Sequence, residues 1–124
     1  MGREPSPMYA DYAAAISAGH VAVAEQGNAV NGYLIGYADG DSYFVENIAV
    51  DPRCQGGGIG GALLRHAIDE ARRLNLSSVR LFTNTEMTES RSFYASFGFV
   101  ETHRALEHGY DRVYMRLALE YRDR

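Results

Sequence analysis

Apolar and polar residues alternate with the two-residue period of β-strands between residues 20 and 50. This alternation predicts a first strand around Val21 and Val23, a second over residues 30–37 and a third over residues 43–50. Turn-forming residues separate the strands at positions 26–28 and 38–41. Because such short connections join neighbouring strands, we expect an antiparallel meander.

Three other segments have the spacing of amphipathic helices. A short helix is predicted over residues 6–19, where apolar residues recur every four positions. A longer helix is predicted over residues 59–74, with an apolar face opposite a charged one. The third covers residues 88–96, with Thr88 as its N-cap.

Three further strands complete the predicted fold, over residues 79–84, 99–104 and 112–119. The first of them follows a helical crossover, so it should run parallel to the strand over residues 43–50. The last two are joined around Gly109. We therefore expect a single α+β domain over residues 1–124, with a mixed, mostly antiparallel sheet of about six strands flanked by three helices.

Charge narrows the range of partners. The chain has 16 acidic and 12 basic side chains and a net charge of −4. With no basic stripe to neutralise phosphates, nucleic acid is not expected as a partner, whereas cationic substrates such as amines are favoured. Within the helix over residues 59–74, the four-residue spacing predicts ion pairs of Asp69 with Arg65 and with Arg73.

Cysteine and hydropathy indicate the compartment. Cys54 is the only cysteine, which excludes an internal disulfide and favours a reducing environment. No apolar run is long enough to span a bilayer, and the N-terminus lacks the layout of a signal peptide. The four histidines have no metal-ligand spacing. We expect a cytoplasmic protein with no membrane partner and no metal.

A glycine-rich loop lies between the third strand and the long helix. It consists of Gln55, Gly56, Gly57, Gly58, Ile59, Gly60 and Gly61. Free N–H groups and the positive end of the helix dipole favour an anion at a helix N-terminus. Glycines let successive amides approach a phosphate closely. The loop therefore predicts a site for a diphosphate.

Two known nucleotide-binding patterns resemble this loop without matching it fully. No Gly-Lys-Ser/Thr follows it, which disfavours a triphosphate P-loop. Gly56, Gly58 and Gly61 satisfy the spacing of a dinucleotide-binding loop, but the preceding meander does not fit the βαβ unit which that loop requires. Another binder of nucleotide diphosphates stays open on the residues alone.

Two motifs give the chain its resemblance to the GNAT superfamily of acetyl-CoA-dependent N-acetyltransferases. The first is Ile48-Ala49-Val50-Asp51-Pro52, followed by the glycine-rich loop. The second is Phe93-Tyr94, followed by Gly98-Phe99. They occur in the family's order with the expected elements between them, and the resemblance covers nearly the whole chain.

The resemblance implies roles for these residues. The pantetheine arm of acetyl-CoA would lie along the strand segment Ile48-Ala49-Val50 and bond to backbone groups of Ile48 and Val50. Residues 55–61 would hold its pyrophosphate, and Tyr94 would protonate the departing thiolate. Acetyl-CoA is then the cosubstrate, and the acceptor is a small-molecule or peptide amine.

Glu46 is the candidate general base. Strict alternation places it on the strand face of Ile48 and Val50, pointing toward the acetyl group, where a carboxylate can accept the ammonium proton. Substrate binding or a plain solvated carboxylate are the alternatives for Glu46. Glu86 and Glu89 are further candidates for the base.

The chain departs from the family pattern in two places. Many members have an asparagine seven residues before the tyrosine, where this chain has Met87, so Asn84 is the candidate for that cofactor contact. The resemblance also does not include the family's first strand and first helix. Their loss would expose a sheet edge and part of the core, which a homodimer or a swapped element would cover.

Two functions follow from these features. The first is an enzyme in which the amine attacks acetyl-CoA directly, without a covalent enzyme intermediate. The second is a catalytically silent domain that binds acyl-CoA or a protein partner. Tyr94 and the glycine-rich loop favour the enzyme, whereas Met87 and the short N-terminus favour the silent domain.

Overall fold

The computed structural model describes residues 20–26, 29–54, 56 and 58–121. Its strands are β1 (Val21–Gln26), β2 (Ala29–Asp39), β3 (Ser42–Val50), β4 (Ser78–Asn84), β5 (Val100–Glu107) and β6 (Tyr110–Ala118). Its helices are α1 (Ile59–Arg73) and α2 (Thr88–Ser96), with a short 3₁₀ turn at Pro52–Cys54. The described residues thus contain six strands and two α-helices, and the helix predicted over residues 6–19 lies outside them.

The six strands form one mixed sheet in the order β1-β2-β3-β4-β6-β5. Every neighbouring pair is antiparallel except β3 and β4, which are parallel as the helical crossover predicts. The hairpin between β5 and β6 turns at His108 and Gly109, both with positive φ, as a tight hairpin requires. The α+β sheet predicted from the sequence is confirmed.

One face of the sheet, called the helical face, packs against both helices. The buried face of α1 consists of Leu63, Leu64, Ala67 and Ala71. These side chains form a single core cluster with Leu34 on β2, Leu81 on β4 and Tyr94 on α2. The apolar stripe predicted for the long helix is therefore the stripe that closes the core.

The start of α2 corrects one expectation. Its N-cap is Met87 rather than Thr88, and no side chain caps the helix. The backbone N–H of Arg91 donates to the carbonyl oxygen of Met87 at 3.1 Å, so that residue already accepts the first helical hydrogen bond. Thr88 therefore lies inside the first turn, where its hydroxyl cannot act as the cap.

The opposite face of the sheet, called the aromatic face, has a row of rings across neighbouring strands. This aromatic row consists of Tyr37, Phe44, Phe82 and Tyr114, with successive ring centroids 5.9, 6.1 and 5.4 Å apart. The four side chains are half-buried. They come from four different strands, so the strand register brings them together.

Candidate active site

A cleft opens where the two parallel strands separate. β3 and β4 are paired only through Ser42 with Ser78, Tyr43 with Val79 and Phe44 with Arg80. Beyond these pairs β3 continues to Val50 while remaining bonded to β2 on its other edge. The edge of residues 48–50 that faces the cleft is unpaired, so its backbone groups are free to bond an extended ligand as another strand would.

The chain leaves β3 through a fixed turn. The backbone N–H of Asp51 donates to the carbonyl oxygen of Asn31 at 2.7 Å. The guanidinium of Arg53 donates to both carboxylate oxygens of Asp51, at 3.2 and 2.8 Å. These hydrogen bonds lower the pKa of Asp51 to about 2. The direction in which the chain enters the glycine-rich loop is thereby set.

The loop then adopts a backbone that glycine favours. Gly56 and Gly58 have φ of +88° and +86°, and Gly58 is the N-cap of α1. A Cβ at either position would meet no atom within 4 Å, so the requirement is conformational rather than steric. Gln55 and Gly57 lie outside the described residues.

The N-terminus of α1 is suited to an anion. Its first turn has no acidic side chain. The first N–H groups of a helix have no intrahelical acceptor, and the helix dipole is positive at this end. Described members of the glycine-rich loop therefore present amides and no competing carboxylate.

Helix α2 packs closely beside this anion-favouring end. A Cβ on Gly60 would lie 3.5 Å from Cζ of Phe93, and one on Gly61 would lie 3.4 Å from Cζ of Phe97. The same helix carries Tyr94. The fold thus brings the two sequence motifs, the glycine-rich loop and Phe93-Tyr94, together on the helical face.

Tyr94 is held in a largely apolar setting. Its side chain is 7% exposed, with its ring 5.4 Å from Phe93 and 6.0 Å from Phe99. Burial raises the pKa of the Tyr94 phenol above its ordinary value. The hydroxyl is therefore kept as a neutral proton donor, which is the state that a general acid needs.

Glu46 occupies a β-bulge, and this corrects the predicted orientation. Ile35 pairs with Asn47 and Gly36 pairs with Val45, so Glu46 is the extra residue of β3. The bulge shifts the alternation, and Ile48 packs against the core on the helical face. Glu46 therefore does not share a face with Ile48 and Val50.

The bulge turns Glu46 toward the aromatic face. Burial first, and then the nearby charge of Glu46, raise the pKa of the Tyr37 phenol, which belongs to the aromatic row. The Glu46 side chain itself is exposed. Tyr94 and Glu46 consequently lie on opposite faces of the sheet.

The remaining candidates border the site less closely. Asn84 is the last residue of β4, half-buried, and its carbonyl oxygen accepts a hydrogen bond from the Met87 N–H at 3.0 Å. Glu86 and Glu89 are exposed around the start of α2. Cys54 is a free, half-exposed thiol in the 3₁₀ turn. No group of three or more potential metal ligands occurs in the described part of the chain.

Sequence reasoning missed a polar network beside the aromatic row. The Tyr114 hydroxyl donates to Glu107 at 2.6 Å, and Arg112 donates to the same oxygen at 3.0 Å. The Arg112 guanidinium also lies 4.1 Å from the ring centroid of Phe82. The alternation of Arg112, Tyr114 and Arg116 was a signal of a polar face, but the β4–β6 register was needed to place it beside Phe82.

Comparison with protein families identifies the class that this geometry suggests. A parallel pair that separates, beside a glycine-rich loop that opens a helix, suits an extended ligand carrying a diphosphate. The family model described as an acetyltransferase (GNAT) domain matches residues 17–101, which is more than half of the chain. The chain belongs to the GNAT acetyltransferase family. A search of curated protein sequences gives no significant match.

Solved structures show the same fold. The ribosomal-protein-S18-alanine N-acetyltransferase from Escherichia coli matches with a TM-score of 0.73 and 27% identity, over 80% of this chain and 68% of that one. Ard1 from Thermoplasma volcanium matches with a TM-score of 0.82 and 22% identity, over 98% and 84%. A GNAT family acetyltransferase from Elizabethkingia anophelis with acetyl-CoA bound matches with a TM-score of 0.75 and 23% identity, over 92% and 85%.

One further structural result concerns membranes. None of the helices in the described ranges combines the length and the apolar character needed to cross a bilayer.

Proposed function

We propose that the protein transfers the acetyl group of acetyl-CoA to a primary amine by direct attack. The observation that carries this proposal is the separation of β3 from β4 beyond Phe44, in a sheet with a buried tyrosine on one face and an exposed carboxylate on the other. An acetyl-CoA-bound structure of the same fold supports the choice of cosubstrate.

Backbone groups bind the cosubstrate in the proposed site. The unpaired edge of residues 48–50 bonds the amide groups of the pantetheine arm. The amides around Gly58, Ile59 and Gly60 face the diphosphate at the start of α1. In this arrangement the arm directs the thioester into the cleft. Asn84, at the end of β4, is a proposed additional contact.

The reaction needs one base and one acid. Glu46 accepts a proton from the ammonium group, directly or through water, which leaves a neutral amine. The amine nitrogen attacks the carbonyl carbon of the thioester, and the C–S bond breaks as the C–N bond forms. The departing thiolate takes the phenolic proton of Tyr94. The nitrogen releases its remaining extra proton to water as the amide forms, and the Tyr94 phenolate and the Glu46 carboxyl return to their starting states by proton exchange with solvent. The products are an acetamide and free CoA.

The bulge at Glu46 indicates the side from which the acceptor enters. Because Glu46 lies on the aromatic face, the acceptor amine reaches the thioester from that face, while the cofactor lies on the helical face. An exposed carboxylate beside half-buried rings suits a cationic group with an apolar body. The E. coli structural neighbour is named for acetylating an alanine of ribosomal protein S18, and a peptide amine is one acceptor to test.

The test is an amine-library screen with acetyl-CoA, read by release of free thiol. Polyamines, aminoglycosides, amino acids and peptides with free N-termini form the library. We expect thiol release that depends on at least one amine and yields the matching acetamide by mass spectrometry. Tight acetyl-CoA binding without turnover across the library would contradict the enzyme and favour the silent acyl-CoA-binding domain. The homodimer predicted from the sequence stays a prediction, which light scattering would test.

A further inference from the structure

The glycine-rich loop has no positive side chain of its own. Residues 55–61 contain neither lysine nor arginine. Arg53, just before the loop, donates to both oxygens of the Asp51 carboxylate and is engaged there. Coenzyme A has a diphosphate and a ribose 3′-phosphate, and helix amides alone supply only partial charges for these anions. A full positive charge close to the loop would complete the site.

Arg65 lies in the position to provide that charge. It is one helical turn beyond Gly61 on α1, and side chains on a helix lean toward its N-terminus. Its Nη2 atom would be 3.5 Å from a Cβ placed on Gly61. The guanidinium is therefore directed back to the N-terminus of α1, where the glycine-rich loop ends.

The surroundings of Arg65 leave its charge available. The ion pair with Asp69 that the sequence predicts is not among the pairs formed by the described residues, and Arg73 pairs with Glu70 instead. Arg65 lies over the ring of Phe97 on α2, with its Cζ 5.6 Å from the ring centroid. A cation–π contact at this distance does not occupy the N–H groups of the guanidinium, and those groups are the part that binds phosphate.

We propose that Arg65 binds a phosphate group of acetyl-CoA. The inference rests on the proposed function, because it takes acetyl-CoA as the ligand of the cleft. Both the diphosphate and the 3′-phosphate have the chemistry that this guanidinium recognises. Gly61 contributes by leaving the space between Arg65 and Phe97 free of a side chain.

The experiment is calorimetric titration of the full chain with CoA and with 3′-dephospho-CoA. Three proteins are compared: the wild type, Arg65→Gln and Arg72→Gln. Arg72 is the matched control, since it is on the same helix and loses the same charge, but bonds the carbonyl oxygen of Glu120 far from the loop. Thermal unfolding of each variant establishes that all three are folded.

We expect Arg65→Gln to raise the Kd for CoA by roughly five- to tenfold, while Arg72→Gln leaves it unchanged. The difference should shrink at high salt, because screening weakens an exposed phosphate contact. If the effect vanishes with 3′-dephospho-CoA, Arg65 binds the 3′-phosphate, and if it persists, Arg65 binds the diphosphate. Both results support the proposal.

Two results would overturn it. Equal Kd values for wild type and Arg65→Gln would remove Arg65 from the site, yet leave acetyl-CoA as the cosubstrate. Equal losses in Arg65→Gln and Arg72→Gln would assign the effect to net charge. A wild-type chain that binds neither ligand would instead reject the proposed function itself, so the two failures are distinguishable.

Discussion

The two faces of this sheet are built from the same strands and have different properties. On the helical face, Val79 and Val113 are fully buried and Leu81 is 2% exposed beneath α1 and α2. On the aromatic face, Phe44 and Phe82 are half-buried, and arginine guanidinium groups lie over their rings. The helical face is a close-packed core, whereas the aromatic face keeps polar groups within reach of its rings. The difference suggests that one face supplies stability and the other recognition.

The largest expected effect tests the helical face. Leu64→Ala removes a fully buried side chain from the core cluster, which should lower the free energy of unfolding by about 3 kcal/mol. Chemical denaturation measures the loss. Leu106→Ala is the matched control, because Leu106 is 76% exposed on β5 and the same change there should cost well under 1 kcal/mol. Similar losses at both positions would refute the packing difference.

Tyr94 separates catalysis from packing on the same face. Tyr94→Phe keeps the ring and removes the acid, so kcat should fall by about a hundredfold with little change in stability. Because the acid acts in its neutral form and burial raises the pKa of Tyr94, wild-type activity should persist as pH rises and decline only above the ordinary tyrosine value of 10.0. A kcat–pH profile checks both points. Turnover unchanged in the variant would exclude Tyr94 as the acid.

Glu46 tests the link between the faces. Glu46→Gln removes the proposed base while keeping the size of the side chain, and kcat/KM should fall by about tenfold near neutral pH. The deficit should narrow as pH rises, because bulk solvent then supplies the neutral amine. Initial rates over a pH series measure this. Asn47→Asp is the comparison variant, since it adds a carboxylate at the residue that follows Glu46 on β3. A loss that is the same at every pH would argue for substrate binding rather than proton transfer.

The smallest expected effect lies on the aromatic face. Phe82→Leu removes a ring that contacts Phe44, Tyr114 and the guanidinium of Arg112, yet leaves an apolar side chain. We expect about 1 kcal/mol of lost stability and a higher KM for the amine, with the Kd for acetyl-CoA unchanged. Separate titrations of the two substrates provide the measurement. An equal rise in both constants would show that the aromatic face is not specific to the acceptor.

Much of the fold could be predicted because its signals are local. The alternation in residues 20–50 and the apolar stripe of α1 are properties of neighbouring residues, and the three strands and the helix that they predict were confirmed. The glycine-rich loop was also predictable, since a helix N-terminus needs only the strand before it and the helix after it. The short helix predicted over residues 6–19 lies outside the described residues and stays a prediction.

The orientation of Glu46 could not be predicted in the same way. A β-bulge adds one residue without leaving a change of composition, so strict alternation placed Glu46 on the wrong face. Phe44, Phe82 and Tyr114 are far apart in the sequence, and only the strand register makes them neighbours. The helix spacing of Arg65 likewise favoured Asp69, whereas the packing of α2 against α1 provides Phe97.

The sequence by itself determined the elements, the anion-favouring loop and the family motifs, because each depends on residues within a few turns or strands of one another. The tertiary structure decided where β3 and β4 separate, which face Glu46 occupies and which ring Arg65 covers. Those features depend on contacts between distant segments, and their geometry is set by how the sheet twists and how the helices pack on it.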